Sequence, residues 1–167
     1  MHDLNGIRSK FDPLLDYYEH MRLIKRQSVD APVVMGTVKI TLVPVPKNKS
    51  VSVFVFESRG KKLVYVPCDC VPFPTDEILR GMDILVIGNT VISDVLKNGR
   101  KLSSEHPLRK EPHSFEGVLG IRERLGIGCV VITHIEEDWG KTYDDYVALE
   151  KQHVNVQFAL GGLTIEL

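Results

Sequence analysis

A helical spacing of apolar residues marks the first predicted element of the chain. The segment DPLLDYYEHMRLIKRQ (12–27) places apolar side chains three or four residues apart, which is typical of an amphipathic helix. Asp12 is a suitable cap and Pro13 suits the first turn. The positions that follow this spacing are Leu14, Tyr17 or Tyr18, Met21 and Ile24 or Lys25. We therefore expect an N-terminal helix over residues 12–27.

From Val33 onward the apolar residues alternate with polar ones, so the period falls to two. This alternation predicts strands, and the short polar segments between them predict turns. The predicted strands are VVMGTVKITLVPV (33–45), VSVFVFES (51–58) and KLVYVPC (62–68). Their close succession favours an antiparallel meander.

The second half of the chain alternates between apolar strands and capped helices. DILVIGN and CVVITH are almost wholly apolar, as strands buried on both faces are. Ser114 and Thr142 precede helical segments as caps, and a closing hairpin is expected around Gly161 and Gly162. The predicted segments are strand 83–89, helix 115–126, strand 129–134, helix 143–153 and the strands VNVQFAL and GLTIEL.

This order of elements predicts one α/β or α+β layered domain, with helices packed on a mixed sheet. We expect it to span residues 1–167, with the N-terminal helix at 12–27 and the sheet and its helices at 33–167.

Composition narrows the function classes. The chain has 21 basic and 22 acidic residues and a formal net charge of −1, which gives no case for binding nucleic acid or a membrane surface. No apolar run approaches the length of a membrane span, and the first residues lack the apolar core of a signal peptide. Three cysteines do not form a paired disulfide framework, so we expect a reduced, cytoplasmic protein.

Three residues that could carry chemistry follow predicted strands or precede a helix. Asp69 follows the strand 62–68, His134 ends the strand 129–134, and His113 stands before a helix whose free N–H groups favour anions. Ligands gather outside strand ends in layered sheets, and carboxylate and imidazole groups bind metal ions. Each residue taken alone is more often part of a solvated loop or a tight turn than of a site.

Taken together and in their order along the chain, five stretches resemble the C-terminal part of the metallo-β-lactamase superfamily. The resemblance is greatest to its phosphoribosyl cyclic phosphodiesterase branch. They are LVYVPCDCVPFP, DILVIGN, PHSFEGVLGIRERLG, CVVITHIEEDWGKTYDDYVALEKQ and VQFALGGLTIEL. The resemblance covers roughly residues 33 to 167. It implies part of an αββα sandwich and hydrolysis of a small phosphodiester substrate by metal-activated water.

The resemblance also implies roles for individual residues. Asp69 corresponds to the acid that bridges two metal ions, and His134 to the last metal-binding histidine. His113 corresponds to a catalytic residue that binds substrate phosphate or protonates the leaving group. Zinc or manganese would be the metal.

One signature of the superfamily, a His-x-His-x-Asp-His motif, is missing from this chain, and His2 is the candidate for its last residue. A truncated relative with an incomplete metal site is therefore one expectation, and it would bind metal weakly or not at all. The alternative is a non-catalytic interaction protein. Either reading leaves apolar faces to be covered, so we expect a homo-oligomer.

Overall fold

The described part of the chain forms a mixed sheet with helices. The computed structural model describes residues 4–26, 29, 31–67, 70–88, 90–106, 109–110 and 113–167, with the backbone alone for residues 4–11, 49 and 50. In chain order the elements are α1 (Leu4–His20), β1 (Val33–Met35), β2 (Val38–Val45), β3 (Asn48–Ser58), β4 (Lys61–Val66), β5 (Ile84–Gly88), α2 (Phe115–Leu125), β6 (Cys129–Thr133), α3 (Tyr143–Gln152) and β7 (Val156–Phe158). Short 3-10 helices lie at Glu77–Leu79 and Glu137–Trp139.

Among the described residues, seven strands form one sheet in the order β1-β2-β3-β4-β5-β6-β7. Strands β1 to β4 are antiparallel, as the meander pattern predicted. Strands β4 to β7 run parallel to one another. Parallel strands place their carboxyl ends at one edge of a sheet, so the loops after β4, β5 and β6 start from a common edge. The predicted α/β layered fold class is confirmed.

One face of the sheet packs against α2 and α3. Val64, Leu85 and Val130 are fully buried at matching register positions on β4, β5 and β6. Helix α2 adds its own apolar side chains to this cluster, and α3 adds Tyr146. Burying each such aliphatic side chain contributes about 1.5–3 kcal/mol to folding. The helix residues are Phe115, Val118, Ile121 and Leu125.

The opposite face of the sheet is less covered. Tyr65 of β4 is 40% exposed, and its ring lies 6.2 Å from that of Phe54. Further along this face, the C-terminal residues Leu163 and Ile165 line a pocket together with Val86 of β5. The tail therefore covers only part of this apolar surface.

The helix predicted over 12–27 is wrong in its bounds, because α1 runs from Leu4 to His20 and contains Pro13. The helix ends where Arg22 adopts a positive φ of 58°. The Leu23 N–H donates to the Tyr18 carbonyl, which is the bond that terminates many helices. The following chain turns back, so that Arg26 contacts carboxylates of α1. They belong to Asp12, Asp16 and Glu19.

Two strand predictions are also wrong in part. The segment 33–45 is two strands, since Gly36 adopts a φ of 60° and forms a turn with Thr37. The closing hairpin does not form, because β7 pairs in parallel with β6 and residues 159–167 contain no strand. Leu163 and Ile165 of this segment border a pocket on the open face of the sheet, and their side chains remain 45% and 37% exposed.

Both predicted helix caps are present. The Ser114 side chain accepts a hydrogen bond from the Gly117 N–H, and α2 ends at Gly126 in the left-handed conformation. Thr142 and Asp145 form a reciprocal capping box at the start of α3. No helix within the described ranges is long and apolar enough to cross a membrane.

Candidate functional site

The carboxyl edge of the parallel strands carries the candidate site. His134 follows β6 directly, and Cys70 belongs to the segment after β4. Asp69, which precedes Cys70, lies outside the described residues, as does His2. The structure therefore places two of the four predicted site residues, His113 and His134.

His113 is held at this edge by backbone pairing beyond the end of β5. The Val91 N–H donates to the His113 carbonyl at 2.9 Å, and the Phe115 N–H donates to the Val91 carbonyl at 3.0 Å. Its ring nitrogen Nε2 lies 3.3 Å from the carbonyl oxygen of Cys70. Since a carbonyl only accepts, this contact assigns a hydrogen to Nε2. The neutral ring then has Nδ1 as its acceptor.

The surroundings of His113 favour this neutral form. Burial lowers the pKa of His113 below its ordinary value, and the positive charge of Arg124 lowers it further. The Cys70 carbonyl acts in the opposite direction, because it favours a protonated ring. The net shift is downward, so the resting imidazole is neutral near pH 7.

His134 has a different environment. It adopts a φ of 51°, a left-handed conformation that is uncommon for residues other than glycine and that clusters at functional sites. Its side chain is 53% exposed, and Nε2 lies 3.1 Å from a carboxylate oxygen of Glu136. The sharp turn directs the chain away from β6 and into the acidic segment that follows.

His113 opens onto a cleft of about 660 Å³. Most of its wall comes from the long connection between β5 and α2, and the first turn of α2 contributes Ser114 and Gly117. Among the residues that the structure describes, the others that line the cleft are Val71, Val91, Asp94, Lys101, Leu102, Ser104 and Arg109. His134 is not among the lining residues, so the structure does not bring the two histidines into one cavity.

The segment after His134 supports the wall of this cleft. Trp139 is buried in a small apolar cluster with Val91 and Leu102. The Lys97 N–H donates to the Asp138 carbonyl at 2.8 Å. A Cβ on Gly140 would lie only 2.9 Å from the Cα of Lys97, so this close approach requires glycine. The two loops are thus packed as one unit.

The described residues do not make a metal site by themselves. Within the ranges that the structure covers, no group of three or more histidine, cysteine, aspartate or glutamate side chains could hold an ion. A catalytic zinc site uses three protein ligands. Cys70 is buried and belongs to the apolar core. The predicted ligand set therefore stays a prediction that depends on Asp69 and His2.

Comparison with known proteins finds similarity at the level of the fold. No protein-family model and no curated protein matches the sequence. Among solved structures, a diphosphatase of the PhnP family is 17% identical with a TM-score of 0.60. Zn²⁺-bound PqqB from Methylobacterium extorquens is 20% identical with a TM-score of 0.62. YhfI from Bacillus subtilis, a metallo-β-lactamase fold protein, is 14% identical with a TM-score of 0.57.

The chain has part of the metallo-β-lactamase fold. The three structures align with 90, 93 and 90% of this chain, whereas the chain spans 52, 60 and 62% of theirs. The resemblance drawn from the five sequence stretches is therefore confirmed for the fold. Because the sequence identities are 20% or less, these similarities show the fold and do not show the reaction or the site residues.

Within this metallo-β-lactamase fold, the structure adds residues that the sequence did not single out. Lys101 and Arg109 line the cleft beside His113. Both basic residues lie in an irregular segment, where no periodicity relates sequence spacing to position. The single tryptophan was the one available signal, because a large aromatic in a polar loop indicates a local apolar cluster.

Proposed function

We propose that this chain is a metal-dependent hydrolase of the metallo-β-lactamase fold that acts on a small phosphodiester. The observation that carries the proposal is the position of His113. It is fixed by the backbone of Val91 and Cys70 at the carboxyl edge of the sheet, and it opens onto a cleft with basic side chains. A half-buried, neutral histidine beside a cleft is a common catalytic arrangement.

In this proposal His113 has two states. The neutral ring donates from Nε2 to the Cys70 carbonyl and accepts through Nδ1. A bound phosphate anion favours the protonated ring, because an opposite charge nearby raises the pKa of an imidazole. The imidazolium would then donate its proton to the leaving oxygen. Substrate binding would thus offset the lowering effect of burial.

The proposed metal ligands are Asp69 and His134, with His2 as a third candidate. Of these, the structure describes His134 alone, and its neighbours there do not complete a ligand set. PqqB was solved with Zn²⁺ bound, and zinc or manganese is our expectation for this chain. Such an ion, when bound, would activate water for attack on phosphorus.

Metal content and metal-dependent hydrolysis test this proposal. We expect the purified chain to hold about one or two divalent ions and to hydrolyse bis(p-nitrophenyl) phosphate. His134→Ala should lose both properties, and His113→Asn should lose at least about 100-fold in rate while keeping the metal. His20→Ala, which changes an exposed histidine on α1, is the matched control.

Two results would contradict the proposal. One is a rate that stays flat across all zinc and manganese concentrations. The other is a His134→Ala variant with the metal content and activity of the His20→Ala control. Circular dichroism of each variant would establish that the sheet and helices are retained.

A second candidate function is a non-catalytic, self-associating interaction protein. The observation in its favour is apolar surface on α1 and on the open face of the sheet. Tyr17 and Met21 are 55% and 51% exposed, and Tyr65 is 40% exposed. We propose that a second copy of the chain covers this surface, because one chain carries both an apolar helix and an apolar sheet face. The metal measurement separates the two candidates.

A further inference from the structure

A second cavity lies at the opposite end of the sheet from His113. It is a groove of about 530 Å³ at the start of β4, beside the turn that joins β3 to β4. β4 is six residues long, so its start lies about 20 Å from the carboxyl edge of the sheet. Among the residues that the structure describes, none lines both this groove and the cleft beside His113. The proposed reaction therefore does not use the groove.

The floor of this groove is apolar. Phe56 of β3 and Leu63 of β4 are direct partners in the register, so their side chains lie next to each other on the open face of the sheet. Val38 of β2 is a third apolar residue of the lining. Leu63 also lines the smaller cavity that contains Ile84 of β5. Because the two cavities share Leu63, the apolar floor continues from β3 to β5.

Polar groups meet at one end of the groove. The Ser58 hydroxyl donates to Oγ1 of Thr37 at 3.2 Å, and both residues line this end. This bond uses the hydrogen of Ser58, so Thr37 can donate its own hydroxyl hydrogen to another acceptor. Arg59 follows Ser58 and lines the same end. Hydrogen-bond donors thus stand beside an apolar floor.

Arg59 supplies this end with a positive charge that is not offset nearby. Lys61 also lines the groove, but its Nζ lies 3.1 Å from the carboxylate of Asp83. No ion pair with Arg59 is formed within the residue ranges that the structure covers. An exposed arginine that has no carboxylate partner can bind an acidic ligand without first breaking an ion pair.

The backbone at Arg59 is unusual for arginine. Arg59 and Gly60 have φ values of 51° and 77°, and they form the two-residue loop of the hairpin between β3 and β4. Asparagine, aspartate or glycine is the usual first residue of such a loop. Residues held in a disfavoured conformation occur more often where function requires them. The choice of arginine here supports a role for its guanidinium group.

We propose that this groove binds a fatty acid of medium chain length. The planar fork of Arg59 matches the two oxygens of a carboxylate, and the Thr37 hydroxyl is a further donor. The methylene chain lies on Phe56 and Leu63 and extends toward Ile84. The site goes beyond the proposed hydrolase, because it contains no residue of the cleft beside His113 and needs no metal ion.

Titration of the full chain with decanoate tests the charged end of the site. Isothermal calorimetry is done with a chelator present, below the concentration at which decanoate forms micelles. The protein is kept at a concentration where light scattering gives the monomer mass, so that no second copy covers the groove. Arg59→Gln should weaken binding about tenfold, as expected for the loss of a charge-assisted contact.

Arg22→Gln is the matched control. Arg22 is also an exposed arginine with a positive φ, of 58°, but it lies at the end of α1 and does not line the groove. We expect this variant to bind decanoate as the wild type does. Circular dichroism of both variants checks that the sheet and helices are retained.

A comparison of ligands tests the apolar floor without changing the protein. Decanoate should bind several-fold more tightly than octanoate, because each additional buried methylene contributes to affinity. 1-Octanol has the chain of octanoate without its charge, so it should bind weakly and equally to the wild type and Arg59→Gln.

The results that would overturn the inference are specific. Equal decanoate affinity in Arg59→Gln and Arg22→Gln would exclude the guanidinium as the binding group. Equal affinity for octanoate and decanoate would exclude the apolar floor. Because a chelator is present throughout, either result leaves the proposed hydrolase untouched, and a lack of metal-dependent hydrolysis leaves this site untouched.

Discussion

At the scale of single residues, His113 shows what a sequence can and cannot supply. Its place before a capping serine pointed to a site residue, and the structure places it at the carboxyl edge of the sheet. Its half-buried environment could not be predicted, because the Cys70 carbonyl that its ring contacts is 43 residues away in sequence. Lys101 and Arg109 were missed for the same reason, since contacts within an irregular loop follow from tertiary packing.

The lowered pKa of His113 predicts a loss of stability in acid. The unfolded chain binds a proton at this residue near the ordinary pKa of about 6.5, whereas the folded chain still holds the neutral ring. The free energy of unfolding should therefore fall as pH drops below that value, until the folded pKa is reached. Urea denaturation near pH 7.5 and near pH 5.5 measures the difference for wild type and His113→Asn.

We expect the asparagine variant to lose less stability over this interval than the wild type. His20→Ala serves as the comparison, because that side chain is exposed on α1. Identical acid sensitivity in the wild type and His113→Asn would mean that other groups cause the loss, and the assigned burial effect would be wrong.

At the scale of elements, caps were predictable and the N-terminal helix was not. Ser114, Thr142 and Gly126 mark the ends of α2 and α3 because capping depends on residues adjacent in sequence. The bounds of α1 were wrong because Arg22 ends the helix in a left-handed conformation, and no glycine marked that position. The predicted closing hairpin was wrong because β7 pairs in parallel with β6 and residues 159–167 leave the sheet without pairing.

Gly120 in α2 predicts a stabilising substitution. It lies on the exposed side of the helix, and an added Cβ would meet no atom within 4 Å. Gly120→Ala should raise the free energy of unfolding by about 0.5–1 kcal/mol, because alanine loses less backbone entropy in a helix. Urea denaturation of the two proteins measures the difference.

Gly128→Ala is the matched control of opposite sign. The Cβ of an alanine at this position would lie 2.8 Å from the carbonyl oxygen of Asp83. The backbone just before β5 or just before β6 would therefore have to move. A stabilised Gly128→Ala, or a destabilised Gly120→Ala, would show that these glycines are constrained in ways other than those described.

At the scale of the whole molecule, the mixed sheet and its packed helices followed from the order of elements. What covers the face of the sheet opposite the helices could not be predicted, because the alternation of apolar and polar residues along a strand does not identify the group that covers each face. The three similar structures are longer chains, of which this one spans 52 to 62%.

Self-association is the prediction that belongs to this scale. We expect the mass measured by light scattering to rise with protein concentration, because apolar surface on α1 and around Tyr65 gains from burial against a second copy. Tyr65→Glu should lower the association. Tyr143→Glu makes the same change at another exposed tyrosine, in the first turn of α3, and should not.

A constant monomer mass over the whole concentration range would count against self-association. An equal effect of the two glutamate variants would show that the face around Tyr65 is not the contact. Neither result bears on the metal site, which is measured separately.

Because Trp139 is buried, its side chain is an intrinsic fluorescent probe of the structure around it. This side chain is the only tryptophan in the sequence, so tryptophan fluorescence arises from a single, known place. It packs against Val91 and Leu102, which also line the cleft beside His113. Any rearrangement of that wall changes the surroundings of one indole ring. Ligand entry can thus be followed in real time, without attaching a dye.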